Sequence, residues 1–317
     1  KTGVGFQPDL VWVKSRGSTY DHKLTDAVRG TTKALVANDN SIETTDSTGL
    51  TAFGADGFTV GADTDYSDTT GSGMVAWCWL GANGTVTNTD GTNIDSTVSA
   101  NVTAGFSISI YDGTGDAADS FGHGLSEAPQ LVIMKRRGST ANWPTATTEA
   151  GRSFANNFYL NVDQSYGTYA GFWNDTNPSA TVVTVGFDGD TNPDGNSVLC
   201  YAFHSVEGYS KVGSFVGNGD TDGPFVYCGF RPAFVIWKNT QRYEAWNLVD
   251  DARSPYNVIV PVLHPNVNVA DDTTGNAMDF VSNGFKLRSD SAQRNYDGEI
   301  SLFLAFAKSP FKYANAR

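Results

Sequence analysis

One seven-residue pattern occurs three times in this chain, and it constrains the fold more than any other feature. Pro8-Asp9-Leu10-Val11-Trp12-Val13-Lys14, Pro129-Gln130-Leu131-Val132-Ile133-Met134-Lys135 and Pro232-Ala233-Phe234-Val235-Ile236-Trp237-Lys238 each read proline, any residue, four apolar residues, lysine. A short apolar run that follows proline and ends on a charge reads as a buried strand with a clean start. Other landmarks keep step with the prolines. A second apolar strand closes at Trp79, Phe203 and Phe306, which lie 71, 74 and 74 residues on. His22, Trp143 and Trp246 stand 14 residues after each proline. Gly105-Phe106 and Gly208-Tyr209, 24 residues before the second and third prolines, open a further strand that runs into a glycine-rich turn (Gly113-Thr114-Gly115 and Gly217-Asn218-Gly219). Independent landmarks at near-constant spacing mark three copies of one module of about a hundred residues.

The copies divide the chain into module one at 1–83, a Thr/Asn/Asp-rich linker at 84–103, module two at 104–205 and module three at 206–317. Module one has no leading strand, because its place falls about 16 residues before Lys1. That leaves a sheet edge unpaired, a hazard proteins manage explicitly. Either an earlier stretch of the polypeptide or another chain would fill it, and the first is favoured. Within a copy the pattern predicts strands over Phe106–Tyr111, Leu131–Lys135, Phe158–Val162, Thr181–Phe187 and Val198–Phe203. Asp56-Gly57 and Asn283-Gly284 read as turns feeding strands. Leu24–Arg29 and Leu248–Arg253 read as short helical turns. The expected fold is all-β: three tandem β-sandwich, jelly-roll-like modules.

Charge narrows the partners. The 317 residues carry 21 Lys+Arg against 34 Asp+Glu, a net charge of −13, so no basic excess exists to track nucleic-acid phosphates or an anionic membrane surface. No apolar run is long enough to insert in a membrane as a helix. Three cysteines, Cys78, Cys200 and Cys228, make an odd count without metal spacing, and Cys78 and Cys200 read as small buried hydrophobes. His22, His123, His204 and His264 form no ligand pair, no Gly-x-Ser-x-Gly elbow occurs, and the glycine-rich turns lead into strand rather than helix. The sequence therefore reads as non-enzymatic. Asp26 and Arg29 recur as Asp250 and Arg253 at the same offsets from proline, the mark of a structural ion pair.

Two binding signals remain. Asp188, Asp190, Asn192 and Asp194 space oxygen ligands at alternate positions as a calcium loop does, although Pro193 replaces the expected glycine; a polar hairpin is the plainer reading, with no cofactor expected and calcium the alternative. The second signal is aromatic: Trp143 and Trp246 beside loops, and Tyr166, Tyr169 and Trp173 in a stretch peculiar to module two. Tyr and Trp beside Asn, Asp and Thr suit stacking on sugar rings.

The run Gly3-Val4-Gly5-Phe6-Gln7-Pro8-Asp9-Leu10-Val11-Trp12-Val13-Lys14, then Leu24-Thr25-Asp26-Ala27-Val28-Arg29-Gly30, Val206-Glu207-Gly208-Tyr209-Ser210-Lys211 and the ending Pro310-Phe311-Lys312-Tyr313-Ala314-Asn315-Ala316-Arg317 resemble a repeat module of marine bacteriophage structural and tail-fibre-like proteins. The resemblance covers essentially the whole chain and assigns no site residues. It implies a location on the virion surface, other virion subunits as partners and a homo-oligomer, with a trimer favoured, and the ending resembles a natural C-terminus. Together with the aromatics it gives the expectation of a tail or head fibre-like adhesin for host-surface glycan. A purely architectural or capsid-decorating protein is the alternative, and a glycan depolymerase a weaker one.

Overall fold

The computed structural model describes residues 1–68 and 71–309, so the ending Pro310–Arg317 lies outside the described residues. Each proline run forms a strand, at Leu10–Ser15, Leu131–Arg136 and Pro232–Asn239. Among the described residues are 25 strands and two single-turn helices, Ala170–Trp173 and Ala292–Asn295, so the protein is all-β.

The proline strand has the same neighbours in each unit. On one side lies a flanking strand (Lys23–Asp26, Pro144–Thr147, Asn247–Asp250) and on the other a closing strand (Met74–Trp79, Ser197–Phe203, Ile300–Ala307). In the second and third units a leading strand, Phe106–Asp112 or Ser210–Val216, lies beyond the closing strand; among the described residues the first unit has none there. Registers coincide as well, since Leu10, Leu131 and Phe234 sit opposite Trp79, Phe203 and Phe306. One landmark slips. Phe106 faces Phe203, but Ser210 rather than Tyr209 faces Phe306, so the glycine–aromatic pair of the third unit sits one residue early.

Two sequence expectations are corrected. Residues 84–103 do not form a plain linker: Ser96–Asn101 pairs antiparallel with the leading strand of the second unit, and Val86–Asn88 pairs beyond it. Val98 and Ile94 are buried there, and a Thr- and Val-bearing alternation suits a half-buried edge despite its polar composition. Leu24–Arg29 and Leu248–Arg253 are strand then turn rather than helix. Leu24 and Leu248 are buried in the sheet opposite Trp12 and Ile236, and this pairing overrides the helical spacing. The turn is closed as the ion pair implied: Asp26 Oδ1 accepts the Arg29 N–H at 2.9 Å, and Asp250 Oδ1 accepts that of Arg253 at 2.8 Å.

Alternation along the proline strands then fixes the layers. Leu10 and Trp12, Leu131 and Ile133, Phe234 and Ile236 all point into one core shared by the three units. Their alternate neighbours point into three private cores: Val11 and Val13 against Leu50 and Phe58, Val132 and Met134 against Phe121 and Val183, Val235 and Trp237 against Phe280 and Phe285. A small sheet roofs each private core, built on Gly57–Val60, Ser120–Gly122 and Gly284–Leu287. The units are thus sandwiches whose inner faces have no solvent to meet, only each other. At about 25 cal/mol per Å² of buried apolar area, the shared core ties their stabilities together. A cavity of about 30 Å³ remains at its centre, lined from all three units by side chains such as Trp12, Ile133 and Ile236.

Candidate functional site

The five aromatic candidates separate into a buried set and an open set. Trp143, Trp173 and Trp246 are buried, which corrects the expectation that they line a surface. Trp143 crosses from the second unit into the first, its indole N–H donating to Val36 O at 2.9 Å and Asp39 O at 3.1 Å. Trp246 does the same from the third unit to the second, donating to Tyr159 O at 2.8 Å. Buried indoles need an acceptor, and the neighbouring unit supplies it. Trp173 packs edge-on to Phe154 and Phe172 with ring centroids 5.4 Å away. His22 takes the corresponding place in the first unit, buried beside the His264 backbone, and its pKa is pushed well down by that burial.

A recurrent anchor that fixed-offset counting missed holds these three residues. Asn38, Asn161 and Asn266 each accept the backbone N–H of His22, Trp143 or Trp246, at 2.7, 2.9 and 2.9 Å. The asparagines drift relative to their prolines, so the only signal in sequence is an Asn shortly after the flanking hairpin. The repeated lysines are also more than strand ends. Lys14, Lys135 and Lys238 are fully buried, and each caps loop carbonyls: Ser15 O and Ser18 O, Asn40 O and Ala141 O, Asn239 O and Arg242 O. Burial lowers each ammonium to about 8.

The calcium candidates do not form an ion cage. Asn192 turns inward, accepting the Thr114 N–H at 2.8 Å and donating to Asp116 O and Gly186 O at 2.8 and 2.9 Å. Asn295 performs the same task in the third unit, accepting the Asn218 N–H at 3.0 Å. These asparagines clamp the glycine-rich turn after the leading strand. A Cβ on Gly217 would lie 2.1 Å from Tyr296 O, which is why glycine recurs there. Among the described residues no three His, Cys, Asp or Glu side chains gather to hold a metal, and Asp194 lies out in solvent.

Asp188 and Asp190 belong instead to an open groove of about 390 Å³ in the second unit, which they share with Asn157, Tyr159, Gln164 and Tyr169. Tyr169 is 41% exposed at its rim, with its hydroxyl donating to Asp188 Oδ2 at 2.9 Å and its ring edge-on to Phe172 and Phe187. Tyr166 is half-buried nearby, covered by the Arg152 guanidinium 3.5 Å over its ring. The one-turn helix Ala170–Trp173 carries Tyr169 as its N-cap, so burial of Phe172 and Trp173 sets the outward aim of Tyr169. Burial and the adjacent Asp188 charge raise the Asp190 carboxyl above its usual range; burial and the same carboxylates raise the Tyr159 phenol. Asn157 is only 4% exposed, and its Oδ1 has no hydrogen-bond partner. A buried acceptor left unpaired carries a cost of about 1–3 kcal/mol. The groove itself offers a ring face and charged acceptors.

An all-β chain whose sheets pack around a common core, with an open polar and aromatic groove, is the class that fold and site define. The chain belongs to the family described as domain of unknown function DUF7483, whose model matches residues 1–310. Comparison with curated proteins and with solved structures finds no match.

Proposed function

We propose that this protein is a non-catalytic structural component of a virus particle, built from three tandem copies of one β-module, and that the groove beside Tyr169 binds a host-surface glycan. The observation that carries the binding part is the open Tyr169 ring set beside the Asp188 and Asp190 carboxylates in one groove. Sugar hydroxyls are donors for both carboxylates, and a sugar's C–H face stacks on tyrosine. The particle context rests on the resemblance of the proline runs and their flanking residues to phage structural modules. A fibre-like assembly with other subunits, a trimer above all, would supply the multivalency that one shallow groove needs.

The test is a glycan array followed by titration of the best hit. Tyr169→Ala and Asp188→Asn should fold as the parent does and weaken binding by about tenfold or more, roughly 1.4 kcal/mol. Raising salt should change little, because stacking is not screened. If no glycan binds, or both variants bind like the parent, the architectural or capsid-decorating reading takes its place. The raised Asp190 carboxyl beside Asp188 favours one second reading, a depolymerase with an acid at Asp190. Release of reducing ends from host polysaccharide, abolished by Asp190→Asn, would support it over simple binding.

A further inference from the structure

Among the described residues the closing strand of the first unit, Met74–Trp79, pairs with Leu10–Ser15 on one side and with no strand on the other. The matching strands of the other units hold a leading strand on that side. Beside the open edge lies a groove of about 320 Å³ walled by Trp77, Trp79, Tyr209, Phe234 and Phe306. Ala76 is exposed and Cys78 half-buried along this strand, whereas Cys200 and Ala202, Phe303 and Ala305 are buried at the matching register. An unpaired edge of this kind is a template for strand addition, in which backbone hydrogen bonds give affinity and side-chain pockets give selectivity.

We propose that this edge is an acceptor for one extended peptide of the leading-strand type, added antiparallel to Met74–Trp79. The register follows from the two occupied cases. Ile108 and Val212 sit opposite Tyr201 and Leu304, the counterparts of Trp77; Tyr111 and Phe215 sit opposite Val198 and Ser301, the counterparts of Met74. The occupant therefore presents an aliphatic residue opposite Trp77 and, three residues on, an aromatic opposite Met74, with a small residue next to the first, as Ser109 and Gly213 are, and Ile110 or Ser214 following it. The next position of the unit is already filled. Thr2 bridges Gly57 where Phe225–Tyr227 pairs with Gly284–Leu287 in the third unit, so the vacancy is confined to the leading position.

The experiment is hydrogen exchange on the full chain, titrated with a synthetic peptide of residues 105–112. Exchange at residues 74–79 should slow by about tenfold or more on binding, without change in the second and third units. The same peptide carrying Ile108→Asp and Tyr111→Asp should have no effect. A second form, with residues 105–119 fused ahead of Lys1, raises the local concentration and keeps the test decisive where the free peptide binds weakly. It should protect residues 74–79, and its double-Asp version should not. The proposal is overturned if the fused strand leaves exchange there unchanged, if both versions protect equally, or if protection appears only with rising protein concentration, which would make the occupant a second copy.

Discussion

The closing strands of the first and second units have the same length of apolar sequence, the same partner strand and the same register, yet one is an edge and the other an interior strand. Ser197–Phe203 lies between Phe106–Asp112 and Leu131–Arg136, while among the described residues Met74–Trp79 has a neighbour strand on one side only. The consequence is visible residue by residue. Cys200 has no exposed surface, but its counterpart Ala76 is exposed. Inner-face residues do not share this contrast, since Trp77 and Trp79 are buried like Tyr201 and Phe203. What the leading strand decides is therefore the outer face and the edge; the shared core is secured by the other units.

The largest test of that contrast is a charge at matched positions. Cys200→Asp should destabilise by about 3–5 kcal/mol, because an unpaired carboxylate would be buried, whereas Ala76→Asp should stay within about 0.5 kcal/mol. Urea unfolding of both variants checks the pair, and an equal cost at the two sites would erase the distinction. Next in size, Trp143→Ala should cost about 3–5 kcal/mol by emptying a space shared by two units. Because that space is common property, the variant should still unfold in one transition; separate transitions for the units would break the picture of a single core.

A smaller effect separates the first unit through His22, the imidazole that stands where the others carry tryptophan. Its folded pKa is depressed, so the unfolded chain binds more protons below about 6.5 and stability should fall as pH drops through that value. His123, held at about 4, and His264, also lowered, add to the same slope. His22→Gln should flatten it, as read from melting temperatures at pH 7.5 and 5.5. The smallest effect lies on the alkaline side. The three lysines are held at about 8 against 10.5 when unfolded, so the unfolded state binds more protons above pH 8 and stability should rise slightly between pH 8 and 9. Beyond pH 9 the thiols of Cys78 and Cys228, raised to about 12 by burial, keep protons that the unfolded chain loses and oppose that rise. Lys135→Met should reduce the rise; a flat profile in the parent would remove the lysines from the account.

Much of this protein was legible before any coordinates. The prolines and lysines marked three strands, and the spacing from Leu10 to Trp79 and from Leu131 to Phe203 placed their partners. Asp26–Arg29 and Asp250–Arg253 were readable as ion pairs, and they close at 2.5 and 2.6 Å. These features are local or periodic, and the chain's own dihedral preferences and alternation encode them. The fate of the tryptophans was not. Trp143 and Trp246 look like loop aromatics because each lies just before a flanking strand, and only the unit that meets them decides that they are buried. Asn157 likewise reads as one polar residue among many until the fold withdraws it from water and leaves its oxygen without a partner. Strand, turn and repeat are fixed by neighbours a few residues away; burial and site are fixed by surfaces a hundred residues distant, which a linear pattern does not bring together.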